Sequence, residues 1–132
     1  MTVRAWMAAW EVECCGAPFR IGDAVEWALL PPASRTTAFV RGQLGESVEA
    51  DDVRSALRHG RRVMDVPKTS GVVTGINAVL CRFERAEGTG EWIPKPRTGR
   101  LQPIEASDDE VFPGDGETFT AYLVDLDVTE IR

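Results

Sequence analysis

The Gly22-Asp23 pair, followed by apolar residues at every second position, Val25, Trp27 and Leu29, constrains this chain most strongly. Period two is the spacing of a strand with one buried face, and Gly-Asp supplies a tight turn that launches it. Upstream, Trp6, Ala8, Trp10, Val12 and Cys14 share one parity while Glu11 and Glu13 share the other. Residues 3–14 are therefore expected to form a second strand with one wet face. The two strands flank a Cys14-Cys15-Gly16 corner.

The rest of the chain is punctuated in the same way. Gly71 to Arg85 is rich in β-branched residues, and the parity of Val73, Val79, Cys81 and Phe83 predicts a long strand with a bulge at Gly75. Glu87-Gly88-Thr89-Gly90 turns it into Glu91-Trp92-Ile93. A Pro-rich connection through Pro94, Pro96 and Gly99 leads to an expected strand from Leu101 to Glu105, and Pro113-Gly114-Asp115-Gly116 marks another turn. From Thr118 to Ile131 the pattern predicts a final strand, with Tyr122, Val124, Leu126 and Val128 packed and Asp125 and Asp127 in water.

One helix is predicted, from Glu49 to His59, because acidic residues open it, Val53, Ala56 and Leu57 fall at helical spacing, and Arg58, His59 and Gly60 close it. Residues 31–47, with Pro31-Pro32, Gly42 and Gly45 around Ala38-Phe39-Val40, read as a loop or a brief strand. Many strands, one short helix and no βαβ alternation predict a mainly β fold: a small antiparallel β-barrel with one short α-helix, forming a single domain over residues 1–132.

Composition narrows the function classes. With 132 residues, 43% of them hydrophobic, the chain can bury a core without metal or disulfide staples. A net charge of -6 opposes general nucleic-acid binding, which needs clustered Lys and Arg. The N-terminal apolar stretch is too short for a secretory signal, and no run has membrane-spanning length. Three cysteines, two adjacent, are unlike a secreted disulfide framework, so reduced thiols and a cytoplasmic location are expected.

Two resemblances bear on the fold. Phe19-x-x-Gly22-Asp23-x-Val25-x-Trp27 resembles the turn and strand that open SH3-like and related small β-barrels. The wider pattern is Trp10-Glu11-x-x-Cys14-Cys15-Gly16-x-Pro18-Phe19 with Trp92-x-Pro94-x-Pro96-x-x-Gly99-x-Leu101. It is similar to a family of uncharacterised small proteins from high-GC Gram-positive bacteria, a domain of unknown function, which implies no catalytic residues for this chain.

Candidate chemistry is sparse. Cys14, Cys15, Cys81 and His59 are ligand types for zinc, but adjacent strand cysteines diverge and there is no second knuckle, so no metal and no cofactor are expected. Cys15 with His59 as base would make a thiol nucleophile, yet nothing in the spacing places them together. Asp108, Asp109, Glu110, Asp115 and Glu117 read as an acidic loop, and Arg54, Arg58, Arg61, Arg62 and Lys68 as a solvated helix face.

Four tryptophans exceed the obvious needs of one small core. They point to a non-enzymatic interaction domain that binds a protein segment, a small ligand or a second copy of itself through an aromatic groove. Trp92, Trp10 and Arg58 are the expected ligand-binding residues, with Trp27 a buried anchor instead of a ligand contact; no catalytic residue is expected. The alternative is a thiol- or metal-dependent enzyme or accessory protein using Cys15, Cys81 and His59.

Overall fold

Alternating apolar strands of 18 and 15 residues, too long for one flat layer, organise the molecule. The computed structural model describes residues 1–15, 17–45, 48–57 and 66–131. Along them run β1 (Thr2–Ala8), α1 (Ala9–Cys15), β2 (Ala24–Leu30), α2 (Ser34–Leu44), a 3-10 turn (Ala50–Asp52), β3 (Val53–Leu57), β4 (Lys68–Arg85), β5 (Trp92–Pro94), β6 (Arg100–Ile104) and β7 (Glu117–Ile131). Strands β2, β3, β1, β7 and β4 lie side by side, and β4 pairs back onto β2, closing a five-stranded barrel. The β1–β3 pair is parallel and the other pairs are antiparallel.

Strand β4 holds this arrangement together. One edge follows β7 from Thr69 to Arg82. The other edge takes β2 at Lys68 to Val72, then β6 at Ile76 to Leu80, then β5 at Phe83 to Arg85. The first part of β4 therefore closes the barrel, and the last part leaves it as a two-stranded ribbon.

Three bulges bend the β4–β7 pair, and the residue skipped by the pairing is a threonine each time: Thr74 on β4, and Thr120 and Thr129 on β7. Each hydroxyl donates to a carbonyl of the opposite strand, Thr74 to Asp125 (3.3 Å), Thr120 to Val79 (3.0 Å) and Thr129 to Ser70 (3.2 Å). The side chain thus re-employs a carbonyl beside the interrupted ladder while the extra residue adds twist. The expected bulge at Gly75 is present, with Thr74 as its extra residue. At Gly71 the strands approach so closely that a Cβ would lie 2.6 Å from the Asp127 carbonyl oxygen, so only glycine fits.

The bulges also flip side-chain parity. Val73 faces the barrel interior, as do Ile76, Ala78 and Leu80 beyond the bulge, whereas Val79 lies on the outer face. The expected common face of Val73 and Val79 is thereby corrected. On β7, Tyr122, Val124 and Leu126 point inward, and the Thr120 bulge brings Phe119 to the same side, its ring 5.0 Å from that of Tyr122.

Four sequence expectations change for physical reasons. Residues 9–15 are helix instead of strand: Ala9 and Val12, one helical turn apart, are buried while Trp10 is exposed. Residues 34–44 form α2, which lays Val40 and Leu44 over an outer cluster of Val53, Val79, Ala121 and Leu123. The expected helix at Glu49 to His59 is a 3-10 turn followed by β3, whose Val53 lies in the outer cluster and whose Ala56 lies in the interior. Its closing residues, Arg58, His59 and Gly60, lie outside the described residues. Finally, Ala121 and Leu123 on β7, of the parity expected to be wet, are covered by α2 from outside, and on β1 the parity expected to be wet, that of Ala5 and Met7, is the barrel interior, while Trp6 packs on the outer cluster and meets Phe39 edge-on at 5.5 Å.

Candidate functional site

Hydrogen bonds fix the segment that leads into β2. Phe19 N–H donates to Ser107 Oγ (2.9 Å) and Ser107 N–H returns to the Phe19 carbonyl (2.8 Å). Ile21 N–H donates to Glu105 O (2.8 Å), and Gly22 N–H, at a φ of 96°, donates to Val73 O (2.8 Å). Asp23 accepts from Arg20 N–H at 3.0 Å, closing the turn that Gly22-Asp23 predicted. On the facing loop the Asp109 carboxylate accepts from both Glu105 and Ala106 N–H groups, at 2.9 and 3.0 Å.

This scaffold holds a row of rings. Trp27 packs edge-to-face on Phe19 (5.1 Å), Phe19 on Tyr122 (5.8 Å) and Tyr122 on Phe119 (5.0 Å). Tyr122 donates its hydroxyl to the Ser107 carbonyl at 2.7 Å. Burial, with smaller contributions from the charges of Glu13 and Asp108, pushes its pKa up, so it remains a neutral donor at physiological pH.

Between segment 17–19 and β2 lies a cleft of about 420 Å³, in the range of small-ligand pockets. Phe19, Val25 and Trp27 form its apolar floor, and Asp23, Glu26 and Lys68 bring charges of both signs. Trp27 is 7% exposed, so it is buried as its phase predicts, but it lines the cleft instead of standing apart from any site. Phe19 and Lys68 were not singled out as ligand contacts by sequence reasoning. For Phe19 the signal was present, since it opens the same turn-and-strand motif.

The expected ligand-binding residues lie elsewhere. Trp92 is 62% exposed on β5, with the Arg85 guanidinium 5.0 Å from its ring centre. Trp10 is 56% exposed on α1. Neither lines the β2 cleft. Arg58 lies outside the described residues, as do His59, Arg61 and Arg62.

Among the thiols, Cys81 is fully buried on β4, and burial pushes its pKa up against an opposing hydrogen bond from Thr120, with the Glu117 charge adding to the rise. That is the opposite of an activated nucleophile. Cys14 and Cys15 end α1, so the strand parity expected to separate them does not apply; their side chains are outside the description. Among the described residues no group of three His, Cys, Asp or Glu is placed to hold a metal ion.

Of the carboxylates expected on an acidic loop, Asp109 and Glu117 have structural partners, as does Asp125 on β7. Glu117 takes a two-pronged pair from Arg100, as close as 2.8 Å, and accepts the Gly114 N–H at 2.6 Å. The Arg100 hydrogen bonds lead the causes that hold its pKa down at about 2. Asp125 pairs with Arg4 at 3.3 Å. Of the basic group expected on one helix, Arg54 sits on β3 beside Glu49 and Asp52, and Lys68 opens β4 at the β2 cleft.

Among the described residues no helix is long and apolar enough to cross a membrane. No curated protein and no solved structure matches the chain. Residues 1–128 match a family described only as a family of unknown function, and the chain therefore belongs to that family, DUF6578.

Proposed function

We propose that this protein is a non-enzymatic interaction domain of small-barrel, SH3-like character, which receives an apolar or aromatic group of a small ligand or protein segment in the β2 cleft. One observation carries the reading: the Phe19–Trp27 floor is held by hydrogen bonds on both sides and opens between the cation of Lys68 and the carboxylates of Asp23 and Glu26. A pre-formed apolar floor supplies affinity and a few fixed charges orient the guest. Trp92 and Trp10 serve as secondary contacts for a longer partner. The cysteine usage supports action in the reducing cytoplasm.

The test uses protein labelled with 5-fluorotryptophan, whose four indoles give separate fluorine resonances assigned by single Trp→Phe variants. Screened against a library of aromatic fragments and short peptides, the Trp27 resonance should move first and saturate. Hits that move only Trp92 or Trp10 would overturn the placement of the site. The same titration on Lys68→Ala should weaken the binding of hits that carry a carboxylate.

A further inference from the structure

A second cleft, on the opposite kind of chemistry, lies where the end of α2 meets the loop between β5 and β6. The loop is fastened to the helix at several points. Arg97 N–H donates to the Gly42 carbonyl at 2.9 Å, and the buried Gln43 donates its side-chain N–H to Lys95 O at 3.0 Å. Thr98 Oγ1 lies within reach of both the Gln43 side-chain oxygen (3.3 Å) and Lys95 O (2.7 Å), and accepts Arg82 N–H at 2.9 Å. Gly99 packs so tightly that a Cβ would stand 2.6 Å from the Gln43 carbonyl oxygen. The Pro-rich connection noted in the sequence is therefore docked on a helix, through Lys95, Arg97, Thr98 and Gly99.

On this dock Arg97 has a φ of 61°, and it is the one non-glycine residue with a positive φ among the described residues. Glycine or asparagine would occupy such a position at lower cost. An arginine in a strained conformation is what a retained side-chain role would produce. Arg97 lines a broad cleft of about 1000 Å³ with Arg41, from the helix turn to which the Arg97 backbone is bonded, and with Leu44, Val48 and Glu49. Lys95 lies two residues from Arg97 on the same loop and is exposed. The cleft lining itself thus carries two guanidiniums, Arg41 and Arg97, and one carboxylate, Glu49.

We infer that this corner binds a phosphorylated, hydroxyl-bearing small molecule, with the Arg41 and Arg97 guanidiniums on the phosphate oxygens and Glu49 accepting from a hydroxyl. Guanidinium forks match tetrahedral phosphate oxygens, and their separate origins on helix and loop let them approach from two directions. The cleft is far larger than one phosphate, which leaves room for the remainder of the ligand; Leu44 and Val48 form its apolar wall. This site shares no lining residue with the β2 cleft, so its failure leaves the reading above untouched.

The experiment is an NMR titration of the full chain with inorganic phosphate, a hexose phosphate and the parent hexose, in low salt. Saturable shifts centred on Arg41 and Arg97 are expected with both phosphates, tighter for the hexose phosphate, weakening as salt rises, and absent with the hexose. Arg97→Gly should keep or raise the thermal midpoint, because it relieves the positive φ, while weakening both phosphates about tenfold or more. Arg97→Asn, which also tolerates that φ, provides a second folded variant with the same expected loss. Glu49→Gln should weaken the hexose phosphate relative to inorganic phosphate. The proposal is overturned if neither phosphate binds saturably, if the hexose binds as well as its phosphate, or if both Arg97 variants bind like the wild type.

Discussion

At Trp27 the barrel is closed: β2 is paired to β4 along Ala24–Ala28, the ring is edge-packed on Phe19, and the interior cluster lies beneath it. At Trp92 the same β4 strand has left the barrel, β5 is its partner over three residues, and the indole lies in water with one guanidinium over its face. Two tryptophans of one chain therefore do different work. The difference follows from how many layers cover each ring, and it separates residues that hold the fold from residues free to meet a partner.

The largest expected effect is at the closed end. Trp27→Ala should cost about 3–5 kcal/mol in a urea titration, since a largely buried ring packed on Phe19 and the interior cluster is replaced by a cavity. A loss below about 1 kcal/mol would show that the ring is not anchored. Next, Gly71→Ala forces a methyl against the Asp127 carbonyl and the Leu126 side chain, at 2.6 and 2.8 Å, and should cost about 1–3 kcal/mol by overpacking. A neutral result would mean that β4 and β7 do not pinch together at this point.

A smaller, pH-dependent effect is expected at Arg100. Glu117 is held at about 2 against an ordinary 4.5, so the pair contributes stability that is fully present above the ordinary value and is lost as pH falls toward 2. The stability gap between wild type and Arg100→Ala should accordingly be widest near neutral pH and close on acidification. A gap independent of pH would assign the loss to the Arg100 hydrogen bond to Phe112 O, at 2.9 Å, instead of to the ion pair. Smallest of all, Trp92→Ala should change stability by less than about 0.5 kcal/mol, because an exposed ring on a short ribbon has little to lose. A loss rivalling that of Trp27 would erase the contrast between the two ends.

The strands that were legible in the sequence are those with one dry face or a clear turn: β2 after Gly22-Asp23, the β4–β5 hairpin, and β7. What misled the pattern was burial on both faces. Val53 and Ala56 sit three residues apart, which mimics a helix, but on β3 they face opposite sides, one under α2 and the other in the barrel. Helix α2 itself carries Thr36, Thr37, Val40 and Gly42, poor helix formers, and is held by packing on the barrel through Val40 and Leu44. In residues 9–15 the alternation of Trp10 and Val12 continued the parity of β1, while Ala9 and Val12 also satisfied a helical spacing, and the latter prevailed. The cleft was legible in part, since Phe19, Val25 and Trp27 belong to one motif; Lys68 arrives through the β2–β4 closure, which no local pattern reveals.

Native-state hydrogen exchange along β4 tests the contrast most directly, because one strand passes through both regions. Amides of the stretch around Val73, Ile76 and Ala78, covered on both faces or paired on both edges, should exchange only through global unfolding and share one large protection free energy. Amides of residues 83–86, paired with β5 alone, should exchange through local opening, several kcal/mol more readily by typical spans of local stability. Uniform protection from Val73 through Ala86 would contradict the account, since it would make the ribbon as much a part of the closed barrel as Trp27.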